Sequence, residues 1–212
     1  MIDMTVPAIE ARHRDVLGQP PRIGPLDRHS VAEQVQADTA RLRADIVGAD
    51  SAPLPIDAIP EIMFTMVKFP EIWARYMAVS MYLQGPKGAL KPRDRQLAIL
   101  RTGWLLQAPY EWGEHVRHSK LVGITPEEIE RATVGSTAPG WSDHERAILR
   151  AAEELREGAM LCDETWNQLA LQLSETELTE LVLLIGQFTT TAYLQNSLRM
   201  RLEPSNPGLT AR

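Results

Sequence analysis

The chain has 212 residues, with 28 acidic and 22 basic side chains, a formal net charge of −6 and an isoelectric point near 5.4. That balance excludes the basic stripe and high isoelectric point of a chain that wraps nucleic acid. A single cysteine, Cys162, excludes an intramolecular disulfide, a CxxC redox pair and a multi-cysteine zinc site. No apolar run approaches the roughly 18 residues of a membrane helix. Met1 to Gln19 carries Asp3, Glu10 and Asp15 without a hydrophobic signal region, so a cytoplasmic protein with neither nucleic-acid nor membrane partner is expected.

In chain order, residues 1–29 are poor in pattern and interrupted by Pro20, Pro21 and Pro25. They are expected to form an N-terminal arm, ordered by a partner surface or else a disordered tail. Ser30 with Glu33 fits a capping box, and Val31, Val35, Ala40, Leu42 and Ile46 supply an apolar stripe that Gly48 ends. Ala52 to Pro60 holds three prolines and reads as a linker within the domain. Pro60 and Pro70 can each open a short helix, the second carrying Ile72, Trp73, Tyr76, Met77, Met81 and Leu83 as a core stripe. Gly85 to Pro92 is a turn-rich connection.

From Arg93 to Leu106 apolar residues occupy nearly every face, as in the central helix of a bundle. Pro109 breaks that helix, and the next runs from about Tyr110 to Leu121, with Gly123 behind it as a C-terminal stop. Thr125 with Glu128, Ser142 with Glu145 and Ser174 with Glu177 are capping boxes that start three further helices, the last reaching Leu202, and Asp163 caps a shorter one. No strand alternation is visible. The expected fold is all-α, a compact bundle of about eight helices spanning residues 30–203, with a tail at 204–212. Leu181, Val182, Leu184, Ile185, Phe188, Tyr193 and Leu194 spread over more than one face of the last helix, which points to a subunit interface and a homo-oligomer.

The histidines are His13, His29, His115, His118 and His144. Glu111 and His115 stand at i, i+4 and share a helix face. A carboxylate beside an imidazole raises the imidazole pKa while burial drives both groups towards neutrality, and such a pair can move protons near pH 7 without a cofactor. The same spacing also arises on solvated helices. Glu111, His115 and His118 could together bind a divalent metal, although the spacing is not HExxH and no further ligand clusters nearby. His118 is expected to face solvent or a neighbouring subunit. Arg93, Arg95, Arg101 and Arg117 are candidates for orienting an acidic substrate through bidentate contacts. Cys162 has no resolving thiol, and neither a glycine-rich phosphate loop nor a GxSxG elbow is present.

Three segments carry a family resemblance: Pro92-Arg93-Asp94-Arg95-Gln96-Leu97-Ala98-Ile99-Leu100-Arg101, Tyr110-Glu111-Trp112-Gly113-Glu114-His115, and Gly123-Ile124-Thr125-Pro126-Glu127-Glu128-Ile129. With Trp141 to Leu149, they resemble the carboxymuconolactone decarboxylase superfamily, which includes the AhpD-like alkylhydroperoxidases. The likeness runs from Pro60 to Glu203 and is densest from Pro92 to Val134. The resemblance implies that peroxidase members carry CxxC, then a histidine after three intervening residues, and an upstream glutamate relay. The matching cysteine positions here are Ala108 and Glu111 and the relay position is Gln96, with only His115 kept, so thiol peroxidase activity is excluded for want of a thiolate and a resolving partner. Decarboxylase-like members carry Glu-x-x-x-His with arginine two residues later, matched by Glu111, His115 and Arg117, with Arg95 at an upstream basic position.

The resemblance implies an all-α, AhpD-like bundle assembled as a dimer, trimer or hexamer. It also implies a lyase or isomerase that uses no metal and no organic cofactor and acts on a small carboxylated lactone or carbonyl acid. In that scheme His115 is the general acid/base and Glu111 its partner. Arg95 or Arg117 clamps a carboxylate, and Tyr110 and Trp112 shape the pocket. Two alternatives stand beside it: a non-catalytic ligand-binding or assembly protein, favoured by Gln96 in the relay position, and a metal-assisted hydratase or hydrolase.

Overall fold

Proline sets where helices begin in this chain, because it supplies a helical φ at a position whose N–H has no intrahelical partner. Pro70, Pro92, Pro109 and Pro126 are the first residues of four consecutive helices. The computed structural model describes residues 5–47 and 55–212, without the side chains of 42, 43 and 45–47. These form α1 (Val6–Val16), α2 (Ala32–Val47), α3 (Glu61–Met66), α4 (Pro70–Gln84), α5 (Pro92–Leu105), α6 (Pro109–Leu121), α7 (Pro126–Val134), α8 (Asp143–Gly158), α9 (Asp163–Ala170) and α10 (Glu175–Leu198). Short 3₁₀ helices lie at Ile56–Ala58 and Gly208–Thr210. The fold is all-α, with no strand among the described residues. None of its described helices is long and apolar enough to cross a membrane.

The three capping boxes form at Thr125, Ser142 and Ser174, each side chain accepting from a backbone N–H while the glutamate three residues on reaches back. The Ser30–Glu33 box does not: Ser30 is tied by its N–H and hydroxyl to Asp27, and α2 starts at Ala32. The α2 stop at Gly48, the linker residues 52–54 and the side chains of Leu42 and Ile46 lie outside the described residues. At α9 the capping position is held by Cys162, with Asp163 inside the helix. The last helix ends at Leu198 rather than Leu202, because Arg199 takes a left-handed conformation (φ 54°) that stops the helical ladder.

Helix α5 is the axis of the core, as its all-round apolarity predicts. Leu97, Ala98, Ile99 and Leu100 are buried, and α5 packs against α6, α7, α8 and α10. Helix α10 spends its apolar surface inside the chain: Leu181, Leu184, Ile185 and Phe188 are buried, while Leu183 and Tyr193 are exposed. Its breadth of apolar faces is thus the mark of a second central helix, and no subunit interface is needed to account for it. The termini also belong to the body. Helix α1 buries Ile9 and Val16, Arg12 donates to the Gln107 carbonyl, and the Leu209 N–H donates to His13 Nε2 at 3.0 Å. The segment read as a C-terminal tail buries Asn206, Gly208, Leu209 and Ala211 against α6.

Asn206 is the pin of that closure. Its Nδ2 donates to the Tyr110 carbonyl at 3.0 Å and its Oδ1 accepts from the Gly208 N–H at 2.8 Å. Gly113 makes room for it: a Cβ there would stand 1.7 Å from Asn206 Oδ1. Gly113→Ala is therefore expected to lower unfolding stability by about 1–3 kcal/mol in urea titration, an overpacking cost. Limited proteolysis should then cut the C-terminal segment first. An unchanged urea midpoint would contradict this account of the C-terminal closure.

Candidate active site

Helices α3, α4, α6 and α10, with Thr39 of α2, line a cavity of about 290 Å³. Most of its wall is apolar: Ile62, Met63, Trp73, Met77, Met81 and Phe188. One wall, from α6, carries Glu111, Glu114, His115 and His118. The helical period of 3.6 residues brings i, i+4 and i+7 to one face, and that face is turned inward here.

His115 is 7% exposed, and its Nδ1 lies 2.9 Å from Oε1 of Gln96 on α5. The carboxamide oxygen accepts a proton held at Nδ1, which leaves the lone pair on Nε2. The Phe188 ring packs edge-on at 4.8 Å between centroids, and the His118 ring does the same at 5.3 Å. Burial, then the neighbouring His118 and Arg117, hold the His115 pKa well below the ordinary 6.5. The imidazole is neutral at pH 7.

Glu111 is 1% exposed and neither carboxyl oxygen has a hydrogen-bond partner. Burial alone pushes its pKa well above the ordinary 4.5, so a neutral carboxyl is favoured. The expected ion pair between Glu111 and His115 is absent: both line the cavity, but the His115 Nδ1 is taken by Gln96. An uncharged carboxamide fixes the ring tautomer without stabilising an imidazolium. Gln96, the departure from the relay glutamate, is thus the residue that orients the imidazole.

The other expected site residues separate. Tyr110 lines the cavity, with its hydroxyl donating to Glu203; burial and that carboxylate raise its pKa well above 10.0. Trp112 is fully buried on the opposite, core side, packed on Trp104 at 4.8 Å with its indole N–H on the Ala211 carbonyl. Arg95 does not reach the cavity, because its guanidinium donates to the carbonyls of Leu83 and Gly85 at 3.0 and 2.9 Å and pins the turn after α4. Arg117 is exposed and paired with Glu114 at 2.9 Å. Trp112 and Arg117 follow the face residues Glu111 and His115 by one and two positions, so a period of 3.6 residues carries both off that face.

His118, expected to face solvent or a neighbouring subunit, is half-buried in the cavity wall, its pKa lowered by burial and then by Arg117. Among the described residues no group of three or more histidine, cysteine or acidic side chains is placed to hold a metal ion, so Glu111, His115 and His118 share a wall but do not converge. Cys162 is exposed beside Glu154 and is not part of the cavity.

Sequence reasoning read Trp73, Tyr76, Met77 and Met81 as core. Trp73 is core, buried with Tyr76 and Met77 packed against the same cluster, and the stripe also lines the cavity together with Ser80 and Gln84. Those two polar residues at helical spacing were the available signal. Phe188, Thr191 and Gln195 come from α10, and no local pattern marks them.

Residues 68–154 match the model of the Carboxymuconolactone decarboxylase family. Three solved structures share the fold. A protein of unknown function from Agrobacterium tumefaciens is 23% identical over 65% of this chain and 94% of its own, with a TM-score of 0.58. An alkylhydroperoxidase AhpD core, the uncharacterized peroxidase-related protein from Ralstonia eutropha, is 14% identical over 88% and 94%, with a TM-score of 0.69. The debrominase Bmp8, as a cysteine-to-alanine variant in complex with 2,3,4-tribromopyrrole, is 15% identical over 89% and 95%, with a TM-score of 0.68. No curated protein matches the sequence. The fold is AhpD-like, and the segment 68–154 is similar to the Carboxymuconolactone decarboxylase family.

The two displaced pKa values have opposite consequences for stability. Glu111 titrates higher in the folded chain than the ordinary 4.5, so stability is full below that value and falls as pH rises towards the folded pKa. His115 titrates lower than 6.5, so its contribution is full above that value and falls as pH drops towards the folded pKa. Glu111→Gln keeps the shape of the neutral carboxyl and removes the first effect. Denaturant titrations between about pH 5 and 8 should show a gain for this variant over the native chain that grows with pH. A gain that stays constant with pH would mean that Glu111 is ionised in the folded chain.

Proposed function

We propose that this protein catalyses proton transfer on a small carbonyl compound, as an isomerase or lyase that works with the groups of its own chain. The observation that carries the reading is the placement of two buried titratable side chains, His115 and Glu111, on one wall of a mostly apolar cavity, with the imidazole held by Gln96. Titratable groups shifted by burial away from their ordinary values, Glu111 upward and His115 downward, mark a functional-site candidate when they share a cavity. Here burial reverses the customary roles. His115 Nε2 has the free lone pair and takes a proton from the carbon next to a carbonyl. The electron pair moves onto the carbonyl oxygen, and Glu111 gives that oxygen its proton. The resulting imidazolium and carboxylate are reset when His115 returns a proton to carbon and the enol proton goes back to Glu111.

The buried ion pair that exists between the two steps attracts strongly in so apolar a site, which helps to stabilise the developing charges. Decarboxylation of a carboxylated lactone, which the resemblance implies, needs a carboxylate clamp, and neither Arg95 nor Arg117 lines the cavity. The proton-transfer half of that chemistry is therefore the part the geometry supports. Self-association belongs to the reading as well, through the exposed Ile72, Val79 and Tyr82 of α4, and light scattering at micromolar concentration measures it directly.

The test is exchange of carbon-bound hydrogen. Small ketones and lactones incubated in D₂O with the native chain should acquire deuterium next to the carbonyl. His115→Ala should abolish this, and Glu111→Gln should slow it by about 10²–10⁴-fold, the usual weight of general acid–base help. Exchange that proceeds at the native rate in His115→Ala would remove the assignment.

A further inference from the structure

Away from the cavity, a groove of about 540 Å³ runs between the end of α1, the turn through Gln19 and Arg22, and the end of α10. Arg12, Arg14, Arg22 and Arg199 line it, and Asp15 is the only carboxylate among its lining residues. The chain as a whole carries a net charge of −6, so positive charge is concentrated here against the overall balance. None of these four arginines forms an ion pair among the described residues, whereas Arg28, Arg93, Arg101 and Arg117 each pair with a glutamate. Two of the four are held in place by backbone carbonyls: Arg12 Nε donates to Gln107 at 2.9 Å, and an Arg22 terminal N–H donates to Ser197 at 3.0 Å. The guanidiniums of Arg14 and Arg199 have no partner among the described residues.

Arginines also gather at helix C-termini for a plain reason, because the free carbonyls there carry about half a negative charge per helix. Both α1 and α10 end at the groove, at Val16 and Leu198. Their two ends offset about one of the four positive charges, and Asp15 offsets another. The remaining charge is unmatched, and like charges sharing one groove repel unless an anion lies between them.

We propose that this groove binds a small phosphate-class polyanion, of which inorganic diphosphate is the simplest member. A guanidinium fork matches phosphate oxygens two at a time. The four arginines come from three chain segments, so the ligand must offer acceptors in several directions. A tetrahedral phosphate does this, whereas a carboxylate offers two oxygens in one plane. Val16 is the only apolar residue of the lining, which leaves no wall for an aromatic or acyl body, so the anionic head is what the groove recognises. Its volume lies within the range of small-molecule sites. Arg12 and Arg22 supply fixed donors, and Arg14 and Arg199 close on the ligand. The groove shares no lining residue with the cavity of Glu111 and His115, so the proposal does not rest on the acid–base reading.

The experiment is calorimetric titration of sodium diphosphate into the full chain at pH 7 and constant ionic strength. Saturable binding is expected. Arg14→Gln and Arg199→Gln should each weaken it by about tenfold, the usual loss of one charged hydrogen-bonding partner. Arg75→Gln, on an exposed part of α4 outside the groove, should bind as the native chain does. Citrate, which spreads comparable charge over planar carboxylates, should bind at least about fivefold more weakly. Arg199 sits in a left-handed conformation at the end of α10, so its substitution could disturb the fold. Arg14 is exposed and unpaired, and Arg14→Gln with unchanged helicity keeps the test decisive. His115→Ala should bind diphosphate as the native chain does even where deuterium exchange is lost, which separates this site from the catalytic reading. Absence of saturable binding at millimolar diphosphate overturns the proposal. So does citrate binding as tightly, or native affinity in both Arg14→Gln and Arg199→Gln.

Discussion

Exclusion of water from the inward face of α6 is the constraint on which the site depends. In water a glutamate and a histidine four residues apart would form an imidazolium–carboxylate pair at neutral pH. Buried at 1% and 7% exposure, with no direct hydrogen bond between them, Glu111 and His115 instead lose the solvation that stabilises charge. In the proposed reaction the acid is then the carboxyl and the base the imidazole. This inversion needs no unusual residue; it follows from the apolar surfaces of α4 and α10 that close over the α6 face. It also explains why a glutamine suits position 96. A carboxylate at that point would add a charge that raises the imidazole pKa, whereas the carboxamide sets the tautomer and leaves the ring neutral.

The charged residues of the same segments are occupied elsewhere, and their partners are structural. Arg93 bridges Glu128 and Glu145, joining α5 to the starts of α7 and α8. Arg101, almost fully buried, pairs with Glu153 and donates to the carbonyls of Ala132 and Thr133 at the end of α7. Arg95 closes the turn after α4. Arg93, Arg95 and Arg101 thus hold the scaffold in register around α5, and none of them lines the cavity. Similar folds accompany different chemistries among the related structures, a debrominase and peroxidase-related proteins among them. Fold alone therefore does not select the reaction, and the side chains of the cavity must.

How far the site could be read in advance depended on how local each signal was. Helix starts were legible because proline and the capping boxes act within a single turn: Pro92, Pro109, Thr125, Ser142 and Ser174 all open helices where their chemistry says they should. The candidate pair Glu111 and His115 was legible for the same reason, since helical spacing alone places both on one face. The arm and the tail were misread because each is ordered by the other and by α6. The His13–Leu209 contact spans nearly the whole chain, and no local pattern encodes it. The α4 stripe reads as core, as Trp73 is; that the stripe also lines a cavity is not legible, because a cavity wall and a packed core share composition and period.

The amino-acid sequence by itself determined the all-α class, the helix boundaries set by proline and capping serines and threonines, and the shared face of Glu111, His115 and His118. All of these are short-range consequences of backbone sterics and a period of 3.6 residues. Which direction that face points, that Gln96 and not Glu111 holds the imidazole, and that Arg95 is taken up by the turn after α4 were decided only by tertiary packing. The reason is physical: protonation state, tautomer and access to a cavity depend on how much water the surrounding helices remove, and in this chain those helices come from α3, α4 and α10, distant in sequence from the residues they desolvate.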